Sequence, residues 1–343
     1  MLGNRNPNPL FSKFICYNNL LKVKPICLID VGAWGGPQPL WQPLLGCLKF
    51  IGFDFNEQEC SRLNAGYKQQ SLDVTFYPYA IYDSKIRKKF YVTKFPPASG
   101  FIPGNNDFLS RFLAFVPNNL EVVKEFEIET VNIDTFVKDQ HIAYVDFIKV
   151  DVEGVEFSVL KGAQGCLSNM LGVETELNIG PVRDPDNFSN IDTLLRKYGF
   201  HLFDMNIARY PRKTLPRGYL SYEGSSFKID SPQKYGQILT GDAVYLRDPV
   251  FERKNGLKYF EWNDVNVLKM ALLYELYMLQ DCAIELLLEY QSNFSSDLPF
   301  SHFYELLTPL VNGFGRVSYK DYIHVSNSLP WAEMEMYKRH WIK

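Results

Sequence analysis

One stretch of the sequence decides the fold, Ile148-Lys149-Val150-Asp151-Val152-Glu153-Gly154-Val155-Glu156. The apolar run over 144–150 predicts a buried strand, and the pattern through Leu160 predicts that a helix follows it. In an open α/β sheet, the carboxyl end of such a strand opens onto the ligand crevice. Asp151, Glu153 and Glu156 therefore indicate a site. The alternative is that these acids only complement the dipole of the helix that begins there.

The end of a second predicted strand also indicates a ligand-binding site. The stretch in question is Cys27-Leu28-Ile29-Asp30-Val31-Gly32-Ala33-Trp34-Gly35-Gly36. Gly32 lets the backbone approach a ligand closely, and Gly36 lets a helix start near the strand. The next apolar strand ends at Asp54, about 20 residues after the first glycine, where an acid hydrogen-bonds ribose hydroxyls. The order of these features predicts a nucleoside-binding site.

The spacing of the glycines limits the class of ligand that this loop could bind. The dinucleotide pattern G-x-G-x-x-G is absent from residues 32–36, and no G-x-x-x-x-G-K-[ST] loop occurs in the chain. The D-x-G-x-x-x-G form of residues 30–36 resembles motif I of class I S-adenosylmethionine-dependent methyltransferases. An acid at this loop suits a cationic cofactor and repels a pyrophosphate.

Further motifs extend the resemblance to the FkbM-type methyltransferase family, over residues 26–248. The most specific is Lys149 to Glu156, which is similar to that family's K-x-D-x-E-G-x-E. The other matching stretches are 30–36, 53–56, 79–83, 98–105, 131–136 and 160–163. Two departures are Trp34, where the family has asparagine, and Asp54, where it has glutamate. For Trp34, packing beneath the loop is favoured over stacking on the cofactor.

The resemblance implies S-adenosylmethionine as the cofactor and assigns residues to its site. The predicted cofactor-binding residues are Asp30, Gly32, Ala33, Gly36, Asp54, Phe55, Ile81, Asp83 and Asp151. Ile81 and Asp83 lie in the stretch where adenine rests in this family. Prolines at 37, 39 and 43 predict that the first helix starts late or is kinked, because proline lacks a helical donor.

Composition limits the class of protein. The chain has 343 residues, 46% of them hydrophobic, and can bury a sizeable core. A net charge of −3 without a run of like charges gives no indication of nucleic-acid binding. Six scattered cysteines without C-x-x-C predict reduced thiols and a cytoplasmic location. No apolar stretch before Pro25 is long enough for a signal peptide or a membrane span.

The alternation of strand and helix patterns predicts a doubly wound, mostly parallel Rossmann-like sheet. Strands are expected near 27–30, 50–54, 74–79, 88–93, 127–132, 144–150, 172–178, 200–204 and 242–247. Residues 94–120 are expected to form a long loop, which is typical of a lid. The predicted organisation is a helical segment over 1–25, a methyltransferase domain over 26–250 and a helical extension over 251–343. An amphipathic helix or helix pair over 263–291 could support self-association.

Methyl transfer requires alignment and an acceptor that loses its proton. Asp151, Glu153 and Glu176 are the candidate catalytic residues, because parallel strands would bring Glu176 close to Asp151. Several carboxylates could bind Mg²⁺, but no spacing requires a metal. The five histidines do not cluster, and none is a candidate base.

The sequence thus predicts methyl transfer from S-adenosylmethionine, with the hydroxyl group of a sugar, a glycan or a natural product as the acceptor that the family resemblance implies. Two alternatives stay open. One is an NAD-dependent oxidoreductase on a similar fold, and the other is a non-catalytic nucleoside-binding scaffold.

Overall fold

The structure is a computed structural model that describes residues 5–112, 115–183, 187–214, 236–295, 297–310 and 315–328. These residues form ten strands: β1 (Ile26–Val31), β2 (Leu48–Phe53), β3 (Val74–Tyr77), β4 (Ala80–Ile81), β5 (Arg87–Thr93), β6 (Val122–Val131), β7 (Phe147–Val150), β8 (Gly172–Asn178), β9 (Phe200–Tyr210) and β10 (Gln237–Arg247). All nine predicted strands are present, and only the two-residue strand β4 was not predicted.

Seven of these strands form the central sheet, in the order β3-β2-β1-β7-β8-β10-β9. Every neighbouring pair is parallel except the two that involve β10. The order reverses direction between β1 and β7, since β2 and β3 lie on one side and β8 on the other. A reversal of this kind opens a ligand crevice at the carboxyl ends of the two central strands. The predicted mostly parallel, doubly wound sheet is confirmed.

The described residues also form thirteen α-helices. They are α1 (Leu10–Tyr17), α2 (Glu57–Gln69), α3 (Asn106–Leu109), α4 (Phe115–Asn119), α5 (Ile133–Asp139), α6 (Glu156–Lys161), α7 (Gln164–Leu167), α8 (Asn187–Lys197), α9 (Pro249–Lys254), α10 (Asp264–Leu276), α11 (Gln280–Tyr290), α12 (Phe300–Leu307) and α13 (Tyr319–Ser328). Residues Pro39–Cys47 form a 3-10 helix with Pro43 inside it, which agrees with the distortion that the prolines predict.

The hydrophobic core follows from the alternation of side chains along each strand. Ile29, Ile148 and Val173 face a core that α5, α6, α7 and α8 complete. The opposite face carries Phe147, against which the ring of Trp41 packs edge-on at 5.2 Å. Both faces of the sheet are therefore buried, as a parallel sheet requires.

A smaller sheet has the order β4-β6-β5. The segment between β5 and β6 is the predicted long loop, but it contains a 3-10 helix (Pro96–Ala98) as well as α3 and α4. The predicted long loop therefore contains short helical turns. The polar helix cap Asn105, which accepts from the backbone N–H of Phe108 at 3.2 Å, is one reason that a helical turn forms here.

The chain divides into two compact units. One spans Leu21–Glu261 together with Met1–Gly3, and the other consists of Asn4–Leu20 and Trp262–Lys343. In the second unit, Glu275 on α10 accepts hydrogen bonds from the backbone N–H groups of Phe11 and Ser12 at 2.9 and 2.7 Å. The unit thus joins a segment from each end of the sequence, and the predicted helix pair over 263–291 is present as α10 and α11.

The cysteines differ in state. Cys27, Cys60, Cys166 and Cys282 carry thiols, whereas Cys16 and Cys47 are each disulfide-bonded. The prediction of six reduced thiols is therefore wrong for two of them, because the spacing of cysteines in a sequence does not reveal which of them form disulfides. The cytoplasmic location stays a prediction without this support. Among the described residues, no helix combines the length and apolarity that crossing a membrane demands.

Candidate active site

The loops that follow β1 and β7 meet at the point where the strand order reverses. Gly32 has φ +87°, a backbone conformation that L side chains rarely adopt, and a Cβ on it would overlap the backbone carbonyl oxygen of Asp151. The N–H groups of Gly32 and Ala33 both donate to the carbonyl oxygen of Phe53 at 3.0 Å, and Asp151 N–H donates to Val31 at 3.0 Å. These contacts tie the glycine loop to the ends of both neighbouring strands.

A row of buried charges lies beneath this crevice. Asp30, Lys149 and Glu174 are direct neighbours on β1, β7 and β8. The ammonium of Lys149 lies 3.3 Å from a carboxylate oxygen of Asp30 and 3.3 Å from one of Asp151. Burial raises the pKa of Asp30 to about 6 against the opposing effect of Lys149. Burial alone would lower the pKa of Lys149, but Asp30, Asp151 and Glu174 together raise it above its ordinary value.

The consequence is a division of roles between the two aspartates. The side chain of Asp30 is only 2% exposed and faces Lys149, whereas that of Asp151 is 42% exposed. Of this pair, Asp151 can therefore meet a cationic group of a ligand directly. Lys149 contacts the carboxylate of Asp151 directly, and Asp30 contacts Lys149.

The end of β2 supplies the next predicted residues. Asp54 is nearly buried, accepts from the N–H of Asn56 at 2.8 Å, and has its pKa raised by burial. The ring of Phe55 packs against Phe90 at 4.4 Å. Trp34 is 55% exposed, so the prediction that it packs beneath the loop is wrong.

The predicted adenine-side residues lie just beyond β3. Ile81 is buried in the main core. Asp83 accepts from the hydroxyl of Ser84 at 2.7 Å and lies 3.7 Å from the ammonium of Lys161. The ion pair holds the side chain of Asp83 near the end of α6. Gly162, the next residue, has no side chain and so leaves room for the backbone at Asp83.

The side chains of Glu153 and Glu156, on the turn after β7, point in different directions. Glu153 has φ +62° and Gly154 has φ +112°, both in the left-handed region. The buried carboxylate of Glu156 accepts from the N–H groups of Val152 and Gly154 at 3.2 and 2.9 Å. Glu156 thus stabilises the turn, and the side chain of Glu153 is left to face the neighbouring strand.

Three carboxyl groups converge here. Oxygens of Asp151, Glu153 and Glu176 all lie within 4.8 Å of one another. Burial raises the pKa of Glu153 to about 7, with Arg183 opposing that effect and the neighbouring acids adding to it. Burial and the charges of Glu153, Glu156 and Asp151 raise the pKa of Glu176 well above its ordinary value. The structure therefore brings the three candidate catalytic residues together.

A cavity of about 180 Å³ opens beside these acids. One wall is apolar and comes largely from the segment between β5 and β6. The opposite wall is polar and is formed by Glu153, Glu176, Asn178, Arg183, Tyr210 and Thr240. Within the described part of the chain, the Oε2 atom of Glu176 and the Nδ2 atom of Asn178 are buried without a hydrogen-bond partner. Unpaired polar atoms of this kind are costly unless a ligand completes them.

The comparisons with known proteins agree with this geometry. Residues 48–202 match the family model described as a methyltransferase FkbM domain. These residues form an FkbM methyltransferase domain. The match begins at β2, so the glycine loop precedes it in the sequence. In the sheet, however, the loop follows β1, which lies between β2 and β7. S-adenosylmethionine is the cofactor of this domain.

Solved structures with a similar chain path include other methyltransferases. Magnesium protoporphyrin IX methyltransferase from Synechocystis PCC 6803 has 9% identity and a TM-score of 0.31, over 70% of this chain and 80% of that one. A SAM-dependent methyltransferase from Agrobacterium tumefaciens has 9% identity and a TM-score of 0.32, over 70% and 61%. Precorrin 8W decarboxylase from Methanobacterium thermoautotrophicum has 13% identity and a TM-score of 0.30, over 68% and 89%. Values this low assign no activity. No curated protein matches the chain.

The residues of the FkbM domain fit its cofactor. A Cβ on Gly35 would meet nothing within 4 Å, so the backbone of the loop is open to a ligand. Asp54 and Asp151 place carboxylates at the ends of β2 and β7, on either side of that loop in the sheet order. The converging acids are the residues that could hold a divalent cation. However, methyl transfer from a sulfonium needs none, and we assign no metal to them.

Two residues of this FkbM domain were missed by the sequence reasoning, Asn178 and Arg183. Asn178 follows Glu176 by two positions on β8, so strand periodicity could have placed both on one face. Arg183 lies in a connection after β8, and no local pattern marks it. Its contacts with Glu153 and with the segment between β5 and β6 are distant in sequence.

Proposed function

We propose that the protein methylates the oxygen of a hydroxyl group on a sugar, a glycan or a natural product, with S-adenosylmethionine as the donor. The observation that carries this proposal is the pair of unpartnered buried atoms on β8, Glu176 Oε2 and Asn178 Nδ2. Both side chains line the same cavity, next to the acids at the end of β7. The pair therefore supports this cavity as the site that binds the acceptor group.

The chemistry of the pair favours oxygen over nitrogen. A hydroxyl group has one donor and two lone pairs. It can donate to Glu176, accept from the amide of Asn178, and still attack the methyl group with its second lone pair. A neutral amine has a single lone pair, which cannot accept from Asn178 and attack at the same time. The arrangement thus supports an alcohol as the acceptor.

The neighbouring acids supply a destination for the proton. The pKa of Glu153, at about 7, is close to the value at which a general base works best near neutral pH. Glu176 contacts the hydroxyl group in this proposal, and Glu153 lies beside it. The two carboxyl groups act as one unit that takes the proton as the carbon–oxygen bond forms.

The cofactor side of the proposal uses the residues around the glycine loop. Backbone groups of Gly32, Ala33 and Gly36 border the methionine part, Asp54 binds the ribose hydroxyls, and Asp151 faces the cationic end. The residues proposed to border adenine are Phe55, Ile81 and Asp83, and Asp30 acts from below through Lys149.

The same cavity argues against phosphorylated acceptors. Two carboxyl groups line it, and the guanidinium of Arg183 is already bonded to Glu153 and to two carbonyl groups. Together with the net charge of −3, this supports a small molecule or glycan rather than a nucleic acid. Self-association through the helices over 263–291 stays a prediction.

The proposal is tested by transfer of a labelled methyl group to matched acceptors. Neutral glycosides and phenols are compared with the amines of the same skeleton, and mass spectrometry locates the methyl group. We expect products methylated at oxygen. Glu153→Gln and Glu176→Gln should keep cofactor affinity while turnover falls by about 10²–10⁴-fold. Glu57→Gln, at an exposed site on α2, is the control. Products methylated only at nitrogen would refute the proposal.

A further inference from the structure

The guanidinium of Arg183 connects two parts of the acceptor cavity. Its side chain is only 2% exposed. Nη1 donates to the carbonyl oxygen of Ile102 at 2.5 Å, and Nη2 donates to that of Ala98 at 2.5 Å and to Oε2 of Glu153 at 3.1 Å. One side chain thus bonds to the segment between β5 and β6 and to an acid on the turn after β7.

The local backbone is shaped to admit this side chain. A Cβ on Gly154 would lie 2.7 Å from Cδ of Arg183, closer than real contacts allow. Gly154 also has φ +112°, which a residue with a side chain rarely adopts. The glycine next to Glu153 therefore serves to seat the arginine.

The segment that Arg183 holds forms the apolar wall of the cavity. Ala98 lines the cavity itself, and Phe95, Leu109, Val116 and Leu120 of the same segment line it as well. Arginine suits this task because its planar fork donates in several fixed directions, whereas lysine offers a compact charge. The negative charge of Glu153 compensates for the burial of the guanidinium.

We propose that Arg183 is a positioning residue that fixes Glu153 and the apolar wall of the cavity as one unit. This rests on the proposed function only in taking the cavity to be the acceptor site. In the described part of the chain, the titratable groups that interact with Glu153 are Arg183, Asp151, Glu156, Glu176 and Tyr210, and Arg183 is the one cation among these five. Arg183 therefore keeps Glu153 available as a proton acceptor and sets the distance between that acid and the wall.

Two measurements on the full chain test the proposal without any acceptor. The titration of Glu153 is followed by carbon NMR of protein labelled at glutamate carboxyl carbons, with Glu153→Gln for assignment. In Arg183→Met the midpoint should move to higher pH by about one pH unit or more, because the opposing cation is lost. Hydrogen exchange at the amide of Gly100, which donates to Tyr91, should accelerate by about tenfold.

Arg183→Lys separates charge from geometry. The titration midpoint of Glu153 should stay close to the wild-type value in this variant, because the positive charge remains. Amide hydrogen exchange at Gly100 should still accelerate, because the planar guanidinium is lost. Arg62→Met, which removes an exposed arginine bonded to Glu59, is the control and should change neither quantity. If Arg183→Met perturbs the fold, as judged by circular dichroism and cofactor binding, Arg183→Lys with added guanidinium takes its place, and protection at Gly100 should then recover.

The proposal is overturned if Glu153 titrates as in the wild type in Arg183→Met, or if Arg183→Lys matches the wild type in both measurements. Neither readout involves turnover. A failure of the hydroxyl-acceptor proposal would therefore leave these results unchanged, and the two ideas can fail separately.

Discussion

The backbone carbonyl oxygen of Asp151 occupies the space that a side chain on Gly32 would need. Two loops from adjacent strands therefore meet main chain to main chain at the point where the strand order reverses. Asp151, the acid that faces the crevice, is held by backbone packing against Gly32 and by the ammonium of Lys149, so its position depends on both neighbours. The predictions below test this dependence.

Gly32→Ala should disrupt the cofactor site. The variant combines a positive φ with a direct overlap on Asp151, and we expect a loss of about 3 kcal/mol in the free energy of unfolding together with much weaker cofactor binding. Gly35→Ala is the matched control for stability, since its φ of +79° is similar but its Cβ would meet nothing within 4 Å. Calorimetry and thermal unfolding measure both. Equal effects of the two variants would show that the overlap has no importance.

Lys149→Met should destabilise the FkbM domain by about 3–5 kcal/mol, because it leaves the buried carboxyl group of Asp30 without its cation. Lys89→Met removes an exposed ion pair with Glu125 and should leave stability nearly unchanged. Urea unfolding at pH 8 measures both. The loss in Lys149→Met should shrink at pH 5, where Asp30 is protonated. A loss that does not depend on pH would contradict this account.

Asp54→Ala should weaken the binding of S-adenosylmethionine by about 1–3 kcal/mol, the range for stranding a buried hydrogen-bond partner. Asp54→Asn keeps an acceptor for the N–H of Asn56 and isolates the contribution of the charge. Glu57→Ala, three residues further on in an exposed position, is the control. Isothermal calorimetry gives the affinities. An unchanged affinity in Asp54→Ala would remove this residue from the proposed ribose site.

Glu176→Gln should stabilise the protein at pH 8. The pKa of Glu176 is higher in the folded chain than its ordinary value of 4.5, so the folded protein keeps a proton that the unfolded chain loses. The stability of the wild type therefore falls as pH rises from about 4.5 towards the raised folded pKa. The amide removes much of that slope, so the variant should be more stable than the wild type at pH 8. Glu125→Gln is the exposed control. An unchanged slope in Glu176→Gln would be inconsistent with this account.

The sequence correctly predicted the features that depend on local residue patterns. Alternating strands and helices gave the sheet, and the carboxyl ends of β7 and β8 gave the approximate position of Asp151, Glu153 and Glu176. What it could not give depends on contacts between distant segments. Arg183 bonds to residues more than 80 positions away, and Trp34 is exposed although its aromatic side chain favoured a packed position.

The final prediction concerns the second unit, where Glu275 caps the first turn of α1. Its carboxylate accepts from Phe11 and Ser12 N–H groups and from the hydroxyl of Ser12 at 2.6 Å. Glu275→Ala would strand these buried donors, and we expect a loss of about 2–4 kcal/mol with faster amide exchange over α1. Glu305→Ala, at an exposed position on α12, is the control. Because the predicted cofactor residues all lie in the other unit, a folded Glu275→Ala protein should bind S-adenosylmethionine with unchanged affinity. Lost affinity in that protein would mean that the cofactor site depends on the second unit.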